Sequence, residues 1–276
     1  MNVSSDAASE ARDSQVVVLA TSGLGVSFGG HRAVHDVNAT FACGTLTAIV
    51  GPNGAGKTTY FNLISGQLRA TAGSVRLAGE DVSDLSAAAR ARRGIGRAFQ
   101  LTNLFPRLTV LENVRLAVQA RRDGSHHRGM NLWSIWSDHR LLTERAEQIL
   151  DIVAMHGQQN AVVANMSHGD QRKLEVAMLI AMEPKVYMFD EPTAGMSADE
   201  VPIVLELIRR LKRESTKAIL LVEHKMDVVR ELADRIVVLH NGEMVADGKP
   251  EEVINSAVVQ VAYLGMPASN KARNHD

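Results

Sequence analysis

Cysteine is all but missing from this chain. Cys43 stands alone among 276 residues, which excludes a disulfide within the chain and suits a reducing compartment. Long apolar runs are missing too. The longest, such as Val176–Met182 and Ala218–Val222, fall far short of the roughly 20 residues that a bilayer-spanning helix needs. Any membrane role must therefore come through a partner. Lys and Arg together number 30 against 31 Asp and Glu, so no net basic field is available to recruit nucleic acid or anionic lipid. The first residues, MNVSSDAASEARDSQ, lack the basic stretch followed by an apolar core that marks a secretion signal, and 1–15 read as a disordered tail.

What the chain does have is a 45% hydrophobic content, enough for one large α/β domain or two intimately joined lobes. From Val16 to about Val50 short apolar runs alternate with glycine and polar breaks, as in a small antiparallel β-layer. Thr45–Val50 opens directly into a glycine loop and a helix near Lys57. Residues 84–93 read as a helix that stops at Gly94. Residues 101–165 carry longer helical patterns, a polar hinge at 121–129 and the only two tryptophans, Trp133 and Trp136. After Ser167 helices alternate with apolar strands (186–189, 218–223, 235–240), the rhythm of parallel βαβ units. Asn241-Gly242 signals a type I′ hairpin. These features predict one domain over 16–265, an α/β core interrupted by a helical lobe at about 101–170, with a second tail at 266–276.

Gly51-Pro52-Asn53-Gly54-Ala55-Gly56-Lys57-Thr58-Thr59 fits G-x-x-x-x-G-K-[ST], and it sits after a strand and before a helix as that motif demands. Glycines let successive backbone N–H groups converge on phosphate oxygens. In this reading Gly51, Asn53, Gly54, Ala55, Gly56, Lys57, Thr58 and Thr59 cradle a nucleoside triphosphate. Lys57 reaches the β- and γ-phosphates, and the Thr58 hydroxyl ligates Mg²⁺. The fold class is then an α/β P-loop NTPase core with a parallel sheet, an N-terminal antiparallel β-layer and an inserted helical lobe. Val186–Glu191 is an apolar strand ending in two carboxylates at the ligand edge of such a sheet. Asp190 can hold Mg²⁺, and Glu191 can polarise the attacking water as general base. Met166-Ser167-His168-Gly169-Asp170-Gln171 opens a helix just ahead of that strand. Ser167 and Asp170 also fit the S-x-x-D capping pattern.

The ordered set of phosphate loop, Gln100 after Phe99, Ser167-His168-Gly169-Asp170-Gln171, the acidic strand and His224 resembles ATP-binding cassette proteins over about residues 16–264. The resemblance implies several roles. Gln100 contacts Mg²⁺ or water at the entry to the helical lobe, and His224 senses the γ-phosphate. Phe28 stacks on adenine, where its plain alternative is a core or edge phenylalanine. Ser167 and Gly169 complete the ATP site of a second subunit in a head-to-tail dimer. His168 and Asp170 depart from the family's Leu-Ser-Gly-Gly-Gln. Ser197 stands where the loop after Glu191 normally ends in Asp, which leaves open how that loop couples the two ATP sites.

The phrases LTNLFPRLTVLENV (101–114), SHGDQRKLE, EPTAGMSADE and VAYLG (261–265) are similar to ATPases of importers for branched-chain amino acids, specifically the longer of two different ATPases. That likeness implies a heterodimer on the cytoplasmic face of the inner membrane, bound to two transmembrane permease subunits and served by a periplasmic solute-binding protein. Similar ATPases serve urea and short-amide uptake. A soluble cassette acting on ribosomes or DNA usually carries two cassettes or a long insertion. A small-molecule kinase lacks the signature helix, and exporter ATPases are commonly fused to membrane helices.

Overall fold

The computed structural model describes residues 16–98, 104–123, 132–213, 216–256 and 259. Both expected tails and Gln100 lie outside the described residues. The N-terminal layer begins with β1 (Val17–Phe28) and β2 (His31–Ala42), paired antiparallel across the Gly29-Gly30 turn. β3 (Leu46–Val50) leaves this layer for the central sheet, and α1 (Lys57–Ser65) follows the glycine loop. β4 (Ala72–Leu77) and β5 (Glu80–Asp81) return to the antiparallel layer in the order β2-β1-β4-β5. The guanidinium of Arg90, in α2 (Ala87–Arg93), donates to the carbonyls of Leu63 and Ile64 at 2.6 and 2.7 Å. It thereby satisfies the C-terminal end of the phosphate-loop helix, where a cation is favoured.

The second sheet contains β6 (Ile95–Ala98), β7 (Val186–Asp190), β8 (Ala218–Val222), β9 (Arg235–His240) and β10 (Glu243–Gly248) beside β3, in the order β10-β9-β3-β8-β7-β6. All its pairings are parallel except the β9–β10 hairpin. That hairpin turns at Asn241 and Gly242, both at positive φ (51° and 81°), as a type I′ turn requires. β3, β7 and β8 are buried at every position, so the pleat feeds both faces. Tyr187, Phe189, Ile219 and Leu221 enter one core, whereas Val186, Met188, Leu220 and Val222 enter the other. This is why those strands read as unbroken apolar runs. β6 was not anticipated. Its four residues include a glycine and an arginine and carry no strand pattern, yet they pair with β7 along its length.

Between β6 and β7 lies the helical lobe: α3 (Val110–Asp123), α4 (Leu132–Ile152) and α5 (His168–Ala181). Val114, Ala117, Ile149, Leu150 and Leu174 share one core there with the sheet face. α3 starts on a reciprocal cap: the Glu112 amide donates to Thr109 Oγ1 (3.2 Å), and the Thr109 amide donates to Glu112 (2.8 Å). Trp133 and Trp136 fall on α4, with side chains outside the described ones. α6 (Val201–Lys212), α7 (Met226–Leu232) and α8 (Pro250–Ile254) complete the α/β alternation. No helix among the described residues is long and apolar enough to cross a membrane.

Candidate active site

β3, β7 and β8 are neighbours and parallel, so their C-terminal ends open on one edge of the sheet. That edge receives the glycine loop, the Asp190-Glu191 pair and the Glu223-His224 pair. A cleft of 230 Å³ opens there, lined by Asn53 to Thr59, by His31 and Ala33 of β2, and by Glu191 and His224. The loop is sterically committed. Gly56 has φ 95°, and a Cβ there would stand 2.6 Å from the Ala33 carbonyl. Lys57 folds inward and donates to the carbonyls of Gly51 (2.7 Å) and Pro52 (2.9 Å). Burial lowers its pKa, and the nearby Glu191 and Asp190 carboxylates oppose that shift. Thr58 and Thr59 follow on the first turn of α1, on the cleft wall.

Asp190 ends β7 as a buried carboxylate. Its Oδ2 accepts from Arg97 Nη2 at 2.6 Å, and each side chain is only 7% exposed. Burial raises the Asp190 pKa, while the Arg97 guanidinium works against that rise. Arg97 itself is anchored by Asn62 (2.7 Å), Ser65 (3.1 Å) and Gln67 (3.0 Å), on and just beyond α1. It also stacks over Phe61 at 5.4 Å. One arginine thus joins β6, α1 and β7.

Glu191 has φ 52°, a left-handed conformation that costs a non-glycine residue about 1–3 kcal/mol. Its amide donates to the Val222 carbonyl at 2.9 Å, and its own carbonyl accepts from the Ala194 amide at 3.0 Å. This bend turns the side chain toward His224, whose Nε2 lies 2.7 Å from Glu191 Oε1. Both side chains remain about two-fifths exposed, at 40% and 39%, so water reaches them. Glu223, beside His224, is buried and accepts from the Thr193 hydroxyl and from the His224 and Lys225 amides.

Phe28 is 50% exposed, so it is not a core residue. It pairs in register with His31, which lines the cleft. Ser167 and Gly169 do not line the cleft. Ser167 caps α5: its Oγ accepts from the Asp170 amide and donates to Asp170 Oδ2, both at 3.1 Å. A Cβ on Gly169 would run into the Glu200 carboxylate. Glu200 also accepts from the amide (3.0 Å) and hydroxyl (3.1 Å) of Ser197, bonds that hold its pKa below the usual glutamate value. The sequence reading missed Arg97, Glu223 and Glu200. Their signal was faint: each is one charged residue within two or three positions of a recognised motif.

A family model described as ABC transporter matches residues 34–194. The branched-chain amino acid transport ATP-binding proteins BraF of Pseudomonas aeruginosa and LivG of Escherichia coli are each 35% identical over 249 residues. That covers 90% of this chain and 98% of each relative. The lipopolysaccharide export system ATP-binding protein LptB of Escherichia coli is 30% identical over 91% of this chain and 98% of its own length. Among solved structures, an ATP-binding cassette of an ABC transporter in its ADP conformation superposes with a TM-score of 0.76 at 25% identity. It covers 91% of this chain and 99% of that one. This chain belongs to the ABC transporter family, as one of its ATP-hydrolysing cassettes.

Proposed function

We propose that this chain hydrolyses ATP to drive an importer of branched-chain amino acids. The observation that carries the hydrolytic part is the Glu191–His224 contact at the mouth of the phosphate-loop cleft. In this reading the amides from Asn53 to Thr59 and Lys57 hold the phosphates, and Phe28 stacks on the base. Glu191 takes the proton of the attacking water, and His224 orients Glu191 and faces the γ-phosphate. Thr58 and Asp190 offer hard oxygen donors, a set that fits Mg²⁺, which keeps few protein ligands and takes phosphate oxygens. Mg²⁺ would neutralise charge on the β- and γ-phosphates. Gln100 contacts the same region in the family reading. Ser167 and Gly169, which do not line this chain's own cleft, serve the ATP of a second ATPase subunit.

An apolar groove of 520 Å³ runs between β6, α3 and α5, lined by residues such as Leu104, Phe105, Leu116 and Met178. It lies where core and lobe meet, and it suits a segment of a transmembrane permease subunit. In this reading the chain sits peripherally on the cytoplasmic face of the membrane. Likeness of the ATPase alone does not set the cargo, because the solute never touches it. Branched-chain amino acids are favoured by the 35% identity to two such subunits across nearly their whole length. The test is co-purification with membrane subunits followed by uptake in vesicles. ATP-dependent uptake of leucine, isoleucine or valine is the expected result. Uptake of urea or short amides instead would reassign the cargo, and failure to bind any membrane subunit would point to a soluble cassette.

A further inference from the structure

The carboxylate of Glu223 has no part in the mechanism above, yet it is among the most enclosed charged groups of the described residues, at 3% exposure. A buried carboxylate without partners is costly, so its partners reveal what it holds. One oxygen accepts from the hydroxyl of Thr193, itself 1% exposed, two residues after Glu191. The other accepts from the His224 amide at 2.7 Å and the Lys225 amide at 3.2 Å. Glu223 therefore ties the loop leaving β7 to the loop leaving β8. Those are the loops that bring Glu191 Oε1 and His224 Nε2 to 2.7 Å. A direct backbone bond, Glu191 N to Val222 O, reinforces the same junction.

We propose that Glu223 is the positioning residue of the hydrolytic pair. Its carboxylate fixes the backbone of His224 and the Thr193 end of the neighbouring loop, and so sets the aim of His224 at Glu191. The two amides require an acceptor oxygen between them. Three donors converge on two oxygens, and only a carboxylate offers acceptors on both without a donor of its own. A glutamine keeps the size but either reverses the Thr193 contact, which turns the hydroxyl from donor to acceptor, or points an NH₂ group at the two amides. A misplacement of about 1 Å at a reacting pair costs on the order of 10²-fold in rate, which scales the expected effect. This proposal rests on the reading of His224 as the partner of Glu191.

The test uses the full chain, with ATP affinity measured alongside turnover. Glu223→Gln is expected to lower kcat about 10- to 100-fold with KM and ATP dissociation constant unchanged. Thr193→Val, which removes one donor, should fall in the same direction by less, and Thr193→Ser should restore the rate. The deciding arm is a double variant. If Glu223 acts through His224, then Glu223→Gln adds no further loss in a His224→Ala background. Independent, multiplying losses would overturn the proposal and leave Glu223 as a structural carboxylate. So would a lowered melting temperature that carries ATP affinity down with it. Full turnover by His224→Ala would instead overturn the reading of His224, and the positioning role with it.

Discussion

At Asp190 an acidic side chain that the family reading gives to Mg²⁺ is already engaged by a buried arginine. Removing one partner of a buried ion pair typically costs about 3–5 kcal/mol, because the other charge is left uncompensated. Arg97→Met should destabilise the fold by that amount near pH 8. The deficit should shrink at acid pH. Burial already raises the Asp190 pKa in the folded chain, and loss of Arg97 raises it further. The native state then binds the proton more readily than the unfolded one, so stability is retained at low pH and lost as pH rises through the raised pKa. Denaturation at pH 5 and pH 8 checks this, and an equal deficit at both would contradict it. Catalysis gives the companion prediction. Glu191→Gln should bind ATP normally but hydrolyse it about 10²–10⁴-fold more slowly, whereas Lys57→Ala should weaken binding itself. Near-normal turnover of Glu191→Gln at saturating ATP would remove Glu191 as the base. Lys57, Asp190 and Glu191 were legible because each falls inside a motif with fixed spacing. Arg97 and Glu223 were not, because their importance comes from partners 93 and 30 positions away in the chain.

Elements differed in legibility for physical reasons. β7, β8 and β9 announced themselves by length and unbroken apolarity, and the β9–β10 turn by its Asn-Gly pair. β6 did not, since Gly96 and Arg97 give a four-residue edge strand neither alternation nor a run. Its presence is dictated by pairing with β7 rather than by its own propensity. The start of α5 was legible twice over, as a cap and as a signature, and the structure forms the cap. The two oxygens of Asp170 are divided between the Ser167 hydroxyl and Lys173 at 2.8 Å, so the Ser167 hydroxyl is oriented by its own helix. Ser167→Ala removes the acceptor for the Asp170 amide and should cost about 1 kcal/mol of stability. Thermal or urea denaturation reads this directly. No measurable loss would mean that the helix start is held by the Glu200 contact to Gly169 instead.

For the whole molecule, the separation of Ser167 and Gly169 from the phosphate-loop cleft makes a prediction that one chain alone cannot fulfil. In a head-to-tail pair, this chain's signature helix contributes to the partner's ATP site, and the partner's contributes to the Lys57 site. A bulky cation at the helix start, Ser167→Arg, should then block the site that faces it and leave its own cleft intact. Photolabelling of the assembled complex with an azido-ATP separates the two, because each subunit is identified by its mass. Labelling of this chain should be retained and labelling of the second ATPase should fall, with a melting temperature lowered by no more than the cap loss explains. Labelling that falls on this chain and is spared on the partner would mean that the signature serves its own cleft, and the head-to-tail arrangement would have to be abandoned. The link from Ser197 through Glu200 to Gly169 gives this arrangement a physical route. The loop that leaves Glu191 reaches Ser197 six residues later, and Ser197 bonds the Glu200 that packs against Gly169 at the start of α5. If the head-to-tail pair forms, the Ser197–Glu200 bonds would offer a short path from the loop after Glu191 to the helix start that meets the partner's nucleotide.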